Sequence, residues 1–321
     1  MNLDSVKGQN ILVAGGVGLM GMCLTRRLIS LGMSVKSTFF LRKPPEQLKE
    51  YFFQYDFTRF EDCLAATKGQ DYVIISVALS SGVSGTQQSS TSAILPNLNI
   101  YAGLLEACAQ NKVKKTVWIS SSTVYQEAPY PIREDQLDLN KQPYKQYLGI
   151  GWVYRYLEQL SQTYYQKFGL QIGIIRTANI YGPYDRFDDQ RSHVIPALIK
   201  RALRKEEPFV VWGDGHTVRD FVYVDDLAEG ILRVLNEHCI ADPINISYGT
   251  PVSIKELVKA VLDTCDHHVA PQFDPAKPTA VPYRVLDNTK AETLLGRIEK
   301  TPLEKGIRKT VEWYTSDFSR D

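Results

Sequence analysis

The 321-residue chain is 44% hydrophobic and carries 37 basic against 36 acidic residues, a formal net charge of +1. That length accommodates one large α/β domain or a large domain with a smaller lobe, and the charge balance argues against nucleic acid or an anionic membrane as partner. The five cysteines, Cys23, Cys63, Cys108, Cys239 and Cys265, include no C-x-x-C pair, so neither a disulfide framework nor a metal site is expected, and a reducing cytoplasm is the expected setting.

The N-terminus MNLDSVKGQN is polar, and no apolar run reaches membrane-spanning length, so neither a secretion signal nor an anchor is expected. NILVA, residues 10 to 14, is a short apolar run of strand formers that meets GGVGLMG and then the helical pattern MCLTRRLISLG. The order is strand, glycine turn, helix. Gly15, Gly18 and Gly21 have G-x-x-G-x-x-G spacing: one permits a tight turn, the next lets backbone N–H groups approach a pyrophosphate, and the last lets helix and strand pack closely. A turn without a ligand has the same local pattern, so context must decide. That context is a second strand in MSVKSTFFL, further strands in QDYVIISVA (70 to 78) and KKTVWISSSTVY (114 to 125), and helical patterns such as NLNIYAGLLEACAQN between them. Alternation of this kind predicts parallel crossovers and an α/β fold, a Rossmann-type doubly wound parallel sheet with a smaller C-terminal lobe that binds substrate.

The expected cofactor is a nicotinamide dinucleotide, NADP in preference to NAD. No Asp or Glu occurs between Gly21 and Glu46, so the carboxylate that grips the ribose 2′-OH of NAD is missing, while Arg42 and Lys43 follow the second strand. Leu19 and Met20 at the helix start, Asp56 and Phe57 in YDFT, and Ala78 complete the expected cofactor contacts. Asp56 is placed to meet an adenine edge.

Taken together with SSSTVY (120 to 125), NIYGP (179 to 183), SHVIPALIKRAL (192 to 203), VVWGDGHTVRDFVYVDDLAEGI (210 to 231) and FDPAKPTAVPYRVLD (273 to 287), these motifs resemble the extended short-chain dehydrogenase/reductase family over nearly the whole chain. Within it they are most similar to nucleotide-sugar epimerases and reductases of the GDP-L-fucose synthase type. The resemblance implies a nucleoside-diphosphate sugar as substrate. It places the active-site serine on Ser121, where a hydroxyl can hydrogen-bond the sugar's C4 oxygen. It places Thr123 where those synthases carry a cysteine base; a hydroxyl is a much poorer base than a thiolate. His193 falls on their acid histidine, and Arg219 on an arginine that contacts the diphosphate or sugar. Lys277 and Arg284 are further candidates for the phosphates, and Asn179 and Trp212 for lining the cleft.

One expected motif is broken. The family's catalytic tyrosine is followed four residues later by a lysine that lowers its pKa and holds the nicotinamide ribose. The segment YLGIGWVYRYLEQL, from Tyr147, contains no lysine. Aligned backwards from FGL (168 to 170), Ile150 falls on the tyrosine, Tyr154 on the lysine and Glu158 on the glutamate that follows. A shifted register offers Tyr147 with Gly151 in place of lysine, and another offers Tyr144 with Leu148. The segment itself predicts a helix with Val153, Tyr156, Leu157, Leu160, Tyr164 and Phe168 on its apolar side. By resemblance this helix packs against a partner subunit in a homodimer.

The expected organisation is a dinucleotide-binding domain over 1–178 plus 221–247 and a substrate-binding lobe over 179–220 plus 248–321. The expected function is an NAD(P)-dependent nucleotide-sugar oxidoreductase or epimerase acting at C4 of a GDP-sugar or 4-keto sugar, with Ser121 orienting the sugar oxygen and Tyr147 or His193 handling its proton. The broken motif motivates one alternative, a cofactor-binding homologue without turnover that acts as a sensor or as partner of a related enzyme.

Overall fold

The computed structural model describes residues 8–79, 93–189, 192–277 and 279–317; most of the polar N-terminal stretch lies outside them. Strand β1 (Asn10–Ala14) leads into helix α1 (Leu19–Ser30), followed by β2 (Ser34–Phe39), β3 (Phe52–Gln54), α2 (Phe60–Thr67) and β4 (Tyr72–Ile75). Then come α3 (Ile94–Gln110), β5 (Lys115–Ser121), α4 (Leu148–Phe168) and β6 (Gln171–Thr177). These strands, joined late by β11 (Ile244–Asn245) from the C-terminal half, form a seven-stranded sheet in the order β11-β6-β5-β4-β1-β2-β3, with every pairing parallel.

The strands read as nearly continuous apolar runs because both faces are covered. Ile11 and Val13 enter one core with α1, while Leu12 and Ala14 enter the other with α3. Helices α2, α3 and α4 pack in succession on the second face, and α1 meets a later helix on the first.

Beyond the sixth strand the chain alternates between the two regions. It forms β7 (Asn179–Tyr181), α5 (Val194–Leu203), β8 (Val210–Trp212), β9 (Val218–Arg219), β10 (Phe221–Tyr223), α6 (Val224–Glu237) and β11 (Ile244–Asn245). Helix α6 returns to pack on α1, and β11 extends the sheet. The rest comprises β12 (Val252–Ser253), α7 (Ile254–Thr264), β13 (Gln272–Asp274), β14 (Tyr283–Arg284), α8 (Thr289–Leu295) and α9 (Leu303–Asp317). Short ladders join β12, β9 and β14, and pair β13 with β8. Helix α7 starts on a capping box, in which the Ser253 hydroxyl accepts the Glu256 N–H and the Glu256 carboxylate accepts the Ser253 N–H.

Helix α4 corrects one expectation. Val153 and Leu157 are buried as predicted, but Tyr156 and Phe168 are 55% and 66% exposed. The inward face instead carries Gly151, Tyr154, Arg155, Glu158 and Ser161. The polar members are inward because partners wait there. Ser161 accepts the Trp118 indole N–H at 3.0 Å, and Glu158 accepts the Ser120 hydroxyl at 2.7 Å. Glu158 also accepts Arg176 through Nε at 3.0 Å and Nη2 at 2.7 Å. Arg176 and Glu158 are nearly solvent-free, so each neutralises a charge that would otherwise be stranded. Glu158→Gln is therefore expected to cost about 3–5 kcal/mol of stability, read as a lowered urea midpoint with an unchanged m-value.

Candidate active site

The carboxyl ends of the parallel strands collect most of the residues singled out from sequence, as the fold requires of a ligand crevice. After β1 the chain turns at Gly15, whose φ of +87° is left-handed and where a Cβ would lie 2.7 Å from Val77 Cα. At Gly21 a Cβ would lie 2.1 Å from the Gly15 carbonyl oxygen, so α1 can pack onto the turn only without a side chain there. Gly18 differs, since its nearest neighbour would be 3.4 Å away. A methyl group at that position would make no closer contact than this. Helix α1 begins with no side-chain cap and no acidic residue in its first turn. The N–H groups of Leu19, Met20 and Gly21 thus lack intrahelical acceptors at the positive end of the helix dipole, an arrangement that fits the pyrophosphate of a dinucleotide. Thr38, on β2, fixes the turn by accepting the Gly16 N–H on its carbonyl at 2.8 Å and the Gly15 N–H on its hydroxyl at 3.0 Å.

Arg42 and Lys43 are exposed beyond β2, and Arg186 and Asp185 are the charged neighbours of Arg42. Asp56 uses one carboxylate oxygen to accept the Thr58 N–H and hydroxyl, at 3.0 and 2.6 Å. Phe57 is buried and stacks on Tyr55. Ala78 is exposed where the chain leaves β4.

At the end of β5, the Ser121 hydroxyl accepts the Thr123 N–H at 3.2 Å, and Ser121 pairs in register with Thr177 of β6. The Thr123 and Thr177 hydroxyls are buried with no hydrogen-bond partner among the described residues. No group bonded to Thr123 could take its proton.

Both main registers of the broken motif are closed to a lysine. Tyr154 is buried in an aromatic cluster with Tyr101 and Trp118, ring centroids 6.0 and 6.3 Å away. At Gly151 a Cβ would lie 2.6 Å from the Thr123 carbonyl oxygen and 2.7 Å from Pro143 Cβ. Arg155, a nearby cation, donates to the carbonyls of Val124 and Lys141 at 2.7 and 2.6 Å and is committed there.

The lobe supplies cations from another direction. Arg219 and Arg284 are register partners on adjacent strands, 8% and 5% exposed, and neither has an ion pair among the described residues. Arg284 donates to the carbonyls of Gln126 and Tyr125, just past the Ser121 turn, at 3.1 and 3.3 Å. Burial pushes its pKa down to about 10. Tyr147 faces both guanidiniums: burial raises its hydroxyl above the usual tyrosine value, and Arg219 and Arg284 pull the other way. The adjacent Asp220 cannot neutralise Arg219, because its buried carboxylate accepts the N–H groups of Tyr248, Gly249 and Leu286 at 3.1 to 3.2 Å.

Trp212, about half exposed, is the register partner of Asp274, whose carbonyl accepts the Lys277 N–H. Beside them Gly213, Asp214, Thr217, Thr279 and Pro282 line a cleft of about 260 Å³. Gln146 donates to the Thr279 carbonyl at 3.4 Å, so the cleft adjoins the Tyr147 segment. Asn179 bonds the Asp220 carbonyl through its backbone and side-chain N–H groups.

His193 precedes α5, and its Nδ1 lies 3.1 Å from Oδ1 of buried Asp185. That hydrogen bond holds the imidazole pKa above its ordinary value. No hydrogen bond among the described residues joins His193 to Ser121 or Tyr147. Asp185, Thr177 and Asp220 were not singled out from sequence. Asp220, an acid among strand formers in VRDFVYV, carried the only visible hint of a buried role.

Comparison with known proteins places this geometry. A family model described as the NAD dependent epimerase/dehydratase family matches residues 11–247. GDP-L-fucose synthase 1 of Arabidopsis thaliana is 30% identical over 318 residues, covering 97% of this chain and 94% of that protein. GDP-L-fucose synthase of Escherichia coli (strain K12) is 28% identical over 334 residues, with coverage of 97% and 98%. Among solved structures, UDP-glucose 4-epimerase with UDP-glucose from Thermotoga maritima superposes with a TM-score of 0.86 at 26% identity, covering 96% of this chain and 99% of that one.

The packing at Gly151 generates a stability prediction. Gly151→Ala is expected to cost about 1–3 kcal/mol through overpacking, and Gly151→Lys at least as much. A thermal melt of either variant that coincides with the parent's would show that the helix start can yield.

Proposed function

The chain belongs to the NAD dependent epimerase/dehydratase family, and from that premise we propose that it transfers hydride at C4 of a GDP-linked sugar or 4-keto sugar, as a reductase, an epimerase or both. At the coarser level it is an NAD(P)-dependent enzyme of nucleotide-sugar modification. The observation that carries the finer reading is the pair Arg219 and Arg284. Two adjacent buried guanidiniums with carbonyl acceptors but no ion pair among the described residues favour an anion between them, and a nucleoside diphosphate brings two phosphates of matching geometry.

The bound nicotinamide supplies or accepts the hydride, and the chain provides the rest. The glycine turn with Leu19 and Met20 holds the pyrophosphate, Asp56, Phe57 and Ala78 border the adenosine and nicotinamide portions, and Arg42 with Lys43 favours the 2′-phosphate of NADP. Ser121 hydrogen-bonds the C4 oxygen. Tyr147 and His193 are the two groups assigned to its proton, with Thr123 behind Ser121. Asn179, Trp212 and Lys277 border the sugar-nucleotide cleft, with GDP preferred because GDP-L-fucose synthases are among the relatives. Residues 1–178 with 221–247 form the dinucleotide domain, and 179–220 with 248–321 the substrate lobe.

The proposed assembly is a homodimer, a reading supported by helix α4, whose outward Leu148, Trp152 and Tyr156 are spaced four residues apart and are 43%, 40% and 55% exposed. The reading without turnover is not favoured, because resemblance to proteins named as epimerases and reductases spans nearly the whole chain.

The direct test is purified protein with NADPH and GDP-4-keto-6-deoxymannose, followed by nicotinamide absorbance and by mass spectrometry of the sugar. Oxidation of NADPH with formation of a reduced sugar is expected; unchanged substrate, with the same result for UDP- and dTDP-linked 4-keto sugars, would sink the reading. Two variants separate the sites. Gly18→Ala brings its methyl no closer than 3.4 Å to the Gly15 carbonyl oxygen, so its Tm should stay within about 2 °C while NADPH binding weakens at least tenfold. Arg219→Ala should weaken GDP about 10- to 100-fold in calorimetry, the worth of one or two charge-assisted hydrogen bonds, and leave NADPH affinity unchanged.

A further inference from the structure

The loop that follows β7 brings together two groups the proposed reaction leaves unconnected. His193 stands immediately before α5, with its side chain 47% exposed and able to meet a ligand. Asp185 lies eight residues earlier, with its side chain 2% exposed. Its Oδ1 accepts the Arg186 N–H at 2.7 Å and faces His193 Nδ1 at 3.1 Å, while Oδ2 is buried without a hydrogen-bond partner among the described residues. A carboxylate buried to this degree is costly and is retained where its charge is used.

We infer that Asp185 is the positioning residue for His193, fixing which imidazole nitrogen exchanges a proton with the sugar substrate. The inference rests on the reading of His193 as a proton-handling group. An ionised carboxylate can only accept, so Nδ1 must carry its proton whether the ring is neutral or charged. Nε2 is thereby left as the exchanging atom: in the imidazolium it is an N–H donor, and after giving one proton to the substrate it is a lone-pair acceptor that takes one back from water. Asp185 also favours the charged ring, which must be present for Nε2 to act as acid.

Among the described residues, the other charged groups acting on this pair are Arg186, which opposes the imidazolium, and Arg42, which lies in the field of Asp185 from beyond β2. The sign follows. Because the folded-state pKa of His193 is raised, the pair's contribution to stability is complete below about pH 6.5, the unperturbed value, and is lost as pH rises through the folded value.

The test uses the full chain. With five histidines, nitrogen-detected NMR titration of the imidazoles is tractable, and His193→Gln identifies the signal. In the parent protein, His193 is expected to show the Nδ1–H tautomer when neutral and a midpoint above about 6.5. Asp185→Asn should lower that midpoint, and the fall of kcat with rising pH for NADPH-dependent reduction of GDP-4-keto-6-deoxymannose should move by the same amount with KM little changed. At a pH above both midpoints kcat falls about tenfold for each unit by which the midpoint moves. Asp185→Glu, which keeps the charge one methylene away, should restore part of both shifts, and it carries the same readouts if the asparagine variant does not fold.

An unmoved His193 midpoint and tautomer in Asp185→Asn overturns the inference. A shifted midpoint with an unmoved kcat profile overturns it too, since the positioning would then serve structure alone. If the parent turns over no GDP-4-keto sugar, the functional reading fails separately, and the imidazole titration by itself still decides whether Asp185 sets the tautomer and charge of His193.

Discussion

A guanidinium standing in the middle of an apolar sheet has to be neutralised where it stands, and much of the rest of the molecule follows from how Arg176 is neutralised. It meets Glu158 of α4 through two nitrogens and donates to the Tyr125 hydroxyl at 2.9 Å. Tyr125 in turn donates to Asn245 at 2.7 Å, and Asn245 donates to the carbonyls of Ile132 and Asp287. One buried network thus ties two central strands, the long helix, the edge strand β11 and the start of the C-terminal segment. It also sets the rotation of α4. Once Glu158 points inward, Gly151 and Tyr154 lie on the same side, so Gly151 meets the Thr123 carbonyl and Tyr154 enters the aromatic core.

The lobe depends on a second charge of opposite sign. Asp220 draws in the backbone N–H groups of Tyr248, Gly249 and Leu286, and its carbonyl receives Asn179. Arg219 immediately precedes it and has no ion pair among the described residues, donating instead to the Val218 carbonyl. Two neighbouring residues of opposite charge are therefore used differently: one is consumed in holding segments together, and the other forms no ion pair among the described residues. Had Asp220 paired with Arg219, the segments at Tyr248, Gly249 and Leu286 would have lost their shared acceptor.

What was legible in the sequence tracks how local each constraint is. The glycine turn could be read because each glycine answers a requirement within a few residues, of turning, approach or packing, and the alternation of apolar strands with helices announced the parallel sheet. The buried face of α4 could not be read from apolar spacing, because Glu158 and Ser161 are inward only by virtue of partners on β5 and β6. Arg219 and Arg284 were visible as charges, but their adjacency comes from pairing between strands separated by most of the lobe. Asp185 was passed over because an acid in a polar loop gives no sign that it is buried beside a histidine.

The aromatic and backbone packing around α4 also bears on the history open to this chain. At Tyr154 a lysine would have to place its ammonium among Tyr101 and Trp118, and at Gly151 any side chain meets a carbonyl oxygen and a proline ring. Neither position can regain the usual cation by one substitution without first passing through a less stable protein. The packing guards both positions against such a change. A cation for proton handling is more readily supplied at half-exposed Leu148, or by those that already stand elsewhere around the cleft, than at either of these two positions.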